Sequence, residues 1–203
     1  MGYEDVDHVD LHRERGIHHL GVPKPTVRKF PDFSKMKSEG SIYSATWDVP
    51  LRNSTAGFPG ATDRFAWFAI DYRGTIYVPK EGTYAFRMFS DDGSKLYLDD
   101  KAIIDLDGLH AWAGKKGRAG LIVGEHEFHL SYMQGPPTQL GLQLWVTPPG
   151  EKEKIFRLQD FSKALADGRR QLQVTEDAKE IRVKSCTRGT KGRAPTARVF
   201  AWA

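Results

Sequence analysis

Cysteine is almost absent. Cys186 stands alone among 203 residues, so neither an intrachain disulfide nor a cysteine-based zinc site can form. A chain can be exported without disulfides, so the compartment stays open. No run of about eighteen apolar residues occurs, and no membrane insertion is expected. The opening residues, Met1-Gly2-Tyr3-Glu4-Asp5-Val6-Asp7, lack a basic segment followed by an apolar one, so no signal peptide is visible. Enzyme signatures are missing too. There is no G-x-S-x-G elbow, no H-E-x-x-H, no phosphate-binding G-x-x-x-x-G-K-[ST] and no dinucleotide fingerprint after a strand. The reading is therefore not of an enzyme.

Charge is ordinary in amount and uneven in placement. The net charge is +4, yet six Lys/Arg and no acid lie between Arg182 and Arg198; the remainder is close to neutral. A short basic tail with Gly, Thr and Pro reads as disordered, and no nucleic-acid partner is expected. With 39% hydrophobic and 28% charged residues, the composition is that of a soluble globular domain. The length suits one sizeable β domain with tails. Residues 1–37 read as a flexible polar leader. Within it His8 and His12, near His18 and His19, would share a helix face able to hold a transition metal, but no apolar stripe supports such a helix. Residues 38–165 carry the folded pattern. Residues 166–203 read as a C-terminal linker or truncated next domain, partly disordered, with Gln171 to Val183 as an isolated strand.

Ile42, Tyr43, Trp47 and Val49 predict a first strand closed by Pro50. Phe65 to Tyr72 is a dense aromatic and β-branched run typical of a buried strand. Arg73-Gly74 reads as a turn and Thr75 to Val78 as another strand, stopped by Pro79. Tyr84, Phe86 and Met88 alternate with Ala85, Arg87 and Phe89, giving one buried face. Leu96 and Leu98, then Phe128, Leu130 and Tyr132, then Leu140, Leu142, Leu144 and Val146 repeat that pattern. Asp105 to Lys116 reads as a long loop. About ten short strands with frequent turn signals predict an all-β fold, a β-sandwich or jelly-roll-like barrel. Helix is limited to a single turn near Phe161 to Ala166.

The chemistry concentrates in Ser90-Asp91-Asp92-Gly93-Ser94. Adjacent carboxylates repel unless a positive group sits between them, and hard cations take oxygen ligands. A Ca²⁺ site is one reading. A solvated hairpin turn is the other, because Asp, Gly and Ser form turns for local reasons. Glycoside hydrolysis also uses two acids, but they must flank the bond about 5–10 Å apart, and sequence neighbours are too close. His126 and His129 lie three apart in a strand, so they point to opposite faces and cannot chelate one metal. His126 reads as a surface or satisfied histidine. Asp99 and Asp100 predict a hairpin turn, and Asp105 and Asp107 order the loop that follows.

Four segments in register carry a resemblance. Ser90-Asp91-Asp92-Gly93-Ser94-Lys95-Leu96-Tyr97-Leu98-Asp99 fits S-D-D-G-S-x-L-x-x-D, and Asp105-Leu106-Asp107-Gly108-Leu109-His110 fits D-x-D-G-x-H. Gly124-Glu125-His126 precedes a strand, and Tyr132-Met133-Gln134-Gly135 is followed by Leu140 to Trp145. Over roughly residues 41 to 160 the chain resembles the PA-fourteen domain, the module named after anthrax protective antigen. Phe58-Pro59-Gly60 and Val146-Thr147-Pro148-Pro149-Gly150 are most similar to its bacterial fibro-slime subgroup. The resemblance implies a β-sandwich related to the jelly roll. In its lectin members two consecutive Asp residues joined by a cis peptide hold Ca²⁺, and a later loop completes the site.

Carried across, the resemblance implies Asp91 and Asp92 as side-chain ligands, with Gln134 offering its amide oxygen and Gly135 and Pro137 their main-chain carbonyls. Sugar hydroxyls would fill the open part of a Ca²⁺ shell of about 6–8 oxygens. Trp112, in the long loop between the two ligand segments, is the candidate for packing against a sugar face, or else an anchor buried under its own loop; His110 is its polar neighbour. Met133, Pro136 and Thr138 depart from any one lectin, so sugar preference does not transfer. The function implied is a Ca²⁺-dependent glycan-binding module of a bacterial surface or secreted protein, placed outside the cell, on its surface or in the periplasm. The alternative is a structural or assembly module of the same fold with no competent sugar site. Oligomeric state is left open.

Overall fold

Every second residue from Tyr84 to Met88, Leu96 to Leu98, Phe128 to Tyr132 and Leu140 to Val146 is apolar and buried. Each such strand has one face that must be covered, and two sheets laid face to face cover one another. In the computed structural model, which describes residues 28–36, 38, 40–60, 65–163 and 196–201, that is the architecture. The strands are β1 (Gly40–Tyr43), β2 (Asp48–Asn53), β3 (Phe68–Val78), β4 (Gly82–Asp91), β5 (Ser94–Leu98), β6 (Lys101–Leu106), β7 (Ala113–Leu121), β8 (Gly124–Gln134), β9 (Gln139–Thr147), β10 (Lys154–Ile155) and β11 (Thr196–Ala201). One sheet has the order β1-β11-β3-β8-β5-β6, the other β10-β9-β4-β7, with β2 also pairing β9. All pairings are antiparallel. The helical segments described over their whole length are short 3-10 turns. Among the described residues no helix is long and apolar enough to cross a membrane.

The core is aromatic at one end. Trp47 meets Tyr72 edge-on at 5.4 Å and lies 4.9 Å from Phe128 and 5.6 Å from Phe156. Phe156 stacks on Phe161 at 4.6 Å. Burying a large apolar side chain contributes roughly 1.5–3 kcal/mol, and favourable ring geometry adds about 0.5–1.5 kcal/mol per pair. Phe161 ends the described C-terminal 3-10 turn, Leu158–Phe161, so this cluster pins the last part of the sandwich to its centre.

Several boundaries differ from the sequence reading. Arg73-Gly74 is not a turn: β3 runs unbroken through it, because β8 pairs it residue for residue from Phe68↔Gln134 to Val78↔Gly124. Trp47 and Val49 do not extend the first strand; β2 starts anew at Asp48 and carries Pro50 through a register shift between Val49 and Arg52. Half of the loop expected over Asp105 to Lys116 is strand, since β6 ends at Leu106 and β7 begins at Ala113. The six-stranded sheet also draws on residues outside 38–165. Thr196–Ala201, placed in the linker by its composition, lies between β1 and β3 as β11. Residues 28–36, placed in the leader, contact the sandwich: the Phe30 N–H donates to Asp107 Oδ1 at 2.9 Å, and Lys95 Nζ sits 5.5 Å from the Phe30 ring centre. The His8–His12 cluster, the Gln171–Val183 segment, Cys186 and the tail from 182 to 195 lie outside the described residues.

Asp99 and Asp100 form the expected hairpin, both at positive φ (48° and 60°), the geometry a two-residue turn between right-twisted strands requires. Asp99 then reaches back: its Oδ1 accepts from the Glu127 N–H at 2.9 Å and its Oδ2 lies 2.6 Å from His126 Nδ1. His126 is buried, and its Nε2 faces the Ile122 carbonyl at 2.9 Å. Burial opposes a charged ring, but an acceptor at each nitrogen outweighs it and raises the His126 pKa. Burial likewise opposes the Asp99 carboxylate, and the His126 and Glu127 donors overcome it, so its pKa is lowered. The stabilisation from Asp99 is present above its unfolded value and lost as pH falls. That from His126 is complete below its unfolded value near 6.5 and lost as pH rises through the raised one. His126→Gln is therefore expected to lower Tm more at pH 5.5 than at pH 8.5. Thermal unfolding followed by circular dichroism checks this, and an equal loss at both pH values contradicts it.

Candidate functional site

Asp91 closes β4 and Asp92 opens the crossover to β5, so the pair stands where the chain leaves one sheet for the other. The peptide bond between them is cis. Both residues are buried, at 4% and 5% exposure. The donors that meet them are mostly main-chain N–H groups. Asp92 Oδ1 accepts from His110 N at 2.9 Å and Oδ2 from Gly135 N at 2.8 Å; Asp91 accepts from the Trp112 N–H. Among the described residues no Lys or Arg pairs with either carboxylate.

Taking carboxylates out of water disfavours their charged form. Burial, and then the neighbouring Asp92 charge, push Asp91 up to about 6. Burial also raises Asp92, against the Gly135 and His110 N–H donors that favour its charged form. The pair thus concentrates negative charge that no Lys or Arg among the described residues offsets, with the nearby His110 ring opposing the upward push only in part. Each carboxylate has about four acceptor positions, so the donors in place leave several unused. Among the described residues no group of three or more His, Cys, Asp or Glu could hold a metal ion. A cation bound at the pair would therefore take its remaining ligands from neutral oxygens, which suits a hard ion such as Ca²⁺.

The second half of the site is built differently from its sequence reading. Gln134 does not present its amide oxygen to the carboxylates. That oxygen accepts from the Tyr132 hydroxyl at 2.7 Å, while Nε2 donates to the Pro136 carbonyl at 3.0 Å and the Gln139 carbonyl at 2.9 Å, with a longer 3.4 Å approach to Asp92 Oδ2. Carbonyls only accept, so these two contacts fix which end of the amide is which. Gln134 clamps the loop that follows it. Gly135 serves through its N–H; its carbonyl accepts from Trp67 N at 2.9 Å. Pro137 is on the exposed rim of that loop. His110 likewise contributes its main-chain N–H, while its ring turns toward the Ala111 and Leu106 carbonyls at 2.9 and 3.3 Å. Trp112 is half-buried, stacked on Phe89 at 5.7 Å with 14° between the rings.

Two further glycines and a tyrosine belong to the site beside Gly135. A Cβ on Gly135 would lie 2.4 Å from Leu109 and 3.2 Å from Asp92 Oδ2; one on Gly141 would meet the Trp112 ring at 2.6 Å; one on Gly93 would meet the Gly108 carbonyl and Met133 at 2.9 Å. The loops close over the carboxylates only because these positions have no side chain. Gly135 acts through its N–H and its missing side chain instead of the carbonyl that the resemblance implies, and glycine recurring beside the loop contacts is the sequence signal for the other two. Tyr132 Oη donates to the Asp91 carbonyl, 2.7 Å away, and shares its proton with Gln134. Its pKa is held well above 10 by burial first and the two carboxylates second, so the hydroxyl remains a donor.

The raised carboxylate pKa values give the protein a pH-dependent weakness. An unfolded chain ionises near the ordinary carboxylate value while the folded one resists, so metal-free stability falls as pH rises from about 4 through about 6. In chelator, Asp91→Asn is expected to raise stability at pH 7, on the order of 1 kcal/mol, and to flatten that fall. Denaturant unfolding at pH 4 and pH 7 measures both. A variant less stable than its parent at pH 7 contradicts the electrostatic account.

A family model described as the PA14 domain matches residues 34–159. Among solved structures the chain is similar to the PA14 domain of the antifreeze protein MpAFP, at 14% identity and TM-score 0.52, covering 66% of this chain and 81% of that one. It is similar to an anti-sigma factor domain-containing protein at 15% identity and TM-score 0.52, covering 59% of this chain and 40% of that one. A third is a PA14 sugar-binding domain from an RTX adhesin, at 20% identity and TM-score 0.49, covering 59% of this chain and 76% of that one. The chain thus spans well under half of the anti-sigma factor domain-containing protein. No curated protein matches the sequence.

Proposed function

The chain belongs to the PA14 domain family, and on that footing we propose that it is a non-enzymatic carbohydrate-binding module whose Asp91–Asp92 pair holds Ca²⁺. One observation carries the reading: two adjacent buried carboxylates that are met by N–H donors and by no Lys or Arg among the described residues. Such a pair is costly to keep ionised unless a positive group joins it. The Asp91 and Asp92 side chains would hold the ion, with the Pro137 carbonyl on the exposed rim as a further oxygen; Gln134 and Tyr132 keep the two halves in place. When bound, Ca²⁺ supplies neutralising charge and open positions for vicinal sugar hydroxyls. Trp112, beside Asp91 through its main-chain N–H and half-exposed in its ring, offers an apolar surface for the hydrocarbon side of a sugar. Such a module works outside the cell or on its surface, in a bacterial adhesive or matrix protein.

Calorimetric titration of Ca²⁺ into chelator-treated protein tests the ion. One site is expected, and no binding by about 1 mM Ca²⁺ rejects it. Asp92→Asn is expected to weaken Ca²⁺ and glycan binding together on a glycan array read with and without chelator. Sugar binding that survives chelation rules out the Ca²⁺-bridged mode. Trp112→Ala is expected to lower glycan affinity about tenfold while leaving the Ca²⁺ isotherm in place, which separates the ring from the ion.

A further inference from the structure

The outer face of the five-stranded sheet carries a pattern that the carboxylate site does not use. Residues of β4, β9 and β7 that point away from the core line up across the strands: Arg87 pairs with Lys116 on one side and Trp145 on the other, and Ala85 pairs with Arg118 and Thr147. Arg87, Lys116, Ala85, Arg118 and Thr147 line a groove of about 420 Å³, bounded further by Glu153, and Trp145 stands beside it as the β9 neighbour of Arg87. Arg87 is held in the middle of it. Its guanidinium lies 5.1 Å from the centre of the Phe89 ring and 5.4 Å from that of Trp145, and it is paired to Glu153. Phe89 in turn stacks on Trp112. Half-buried rings and a fixed cation therefore form a continuous ladder from the loop beside the Asp pair into the groove.

Lys116 and Arg118 are the exposed cations of this face, and neither has an ion-pair or hydrogen-bond partner among the described residues. Glu153, the one acid lining the groove, is committed to Arg87. The groove is thus positive overall. Guanidinium and ammonium groups match carboxylate and sulfate oxygens, and aromatic side chains beside them suit the apolar faces of sugar rings.

We propose that this outer face is a second saccharide-binding surface, selective for acidic glycans that carry carboxylate or sulfate groups and independent of the Asp91–Asp92 site. Lys116 and Arg118 meet the anionic groups, Arg87 holds the ring ladder rigid, and Trp145 and Phe89, which flank Arg87, extend the surface beside the groove. The surface needs no metal, so it stands or falls separately from the Ca²⁺ reading.

Affinity electrophoresis with EDTA throughout tests it, using polygalacturonate and dextran sulfate as the acidic probes and dextran as the neutral one. Saturable binding to at least one acidic probe and none to dextran is expected. Lys116→Glu/Arg118→Glu should weaken binding about tenfold or more. Lys29→Glu/Lys101→Glu, the same charge change at exposed positions away from this face, should leave it within about twofold. Absence of saturable binding to both acidic probes overturns the proposal, as does equal weakening by the two double variants. An oligothymidylate that displaces the polysaccharide at equal charge concentration also overturns it, because the face would then read charge alone.

Discussion

Two like charges held side by side below the surface are the constraint on which this end of the sandwich depends. No Lys or Arg in the described structure pairs with them, so their environment is arranged mainly in main-chain N–H groups delivered by two separate loops. The loops that deliver these donors can close this far only because Gly93, Gly135 and Gly141 place no side chain between them. Tyr132 and Gln134, both buried on β8, then tie the crossover of one sheet to the strand of the other through the Asp91 carbonyl. Fold and site are one construction here. The residue that ends β4 is the residue whose charge has to be managed.

Much of this was legible in the residues. The alternation in β4, β5, β8 and β9 marks one buried face in each strand, and the Asp99-Asp100 pair marks the hairpin. Other parts were not legible. Arg73-Gly74 has the composition of a turn but pairs through β8 on every residue, a tertiary override of a local signal. β7, Ala113–Leu121, is rich in Gly and Lys and has no apolar alternation of its own; it is a strand because β4 pairs it along its length. β11 was hidden by the basic, Pro- and Gly-containing text around it.

At the site the limit is of another kind. Sequence names the groups a residue owns but not the direction in which each points. Asp91, Asp92, Gln134, Gly135, His110 and Trp112 do gather at one end of the sandwich. The division of labour among them differs: Gln134 braces, while Gly135 and His110 donate through nitrogen. An amide and a glycine offer donor and acceptor alike, and only the packed loop decides between them. The two outer faces also diverge. On the six-stranded sheet Asp71 is buried and satisfied by Arg73, His129 and Ser131, whereas the five-stranded sheet leaves cations without partners.

The placement of β11 has a mechanical consequence. β1 and β11 run antiparallel as neighbours, with Gly40 opposite Val199 and Tyr43 opposite Thr196. Tension applied through the residues before Gly40 and after Ala201 would therefore load the ladder from one end and open its hydrogen bonds one after another, as a zip, instead of straining them all in parallel. β4, which ends at Asp91, belongs to the other sheet, and β8, which carries Tyr132 and Gln134, lies beyond β3 from that first ladder. Under tether the border strand would yield first, leaving the ligand-holding end of the sandwich out of the path of force.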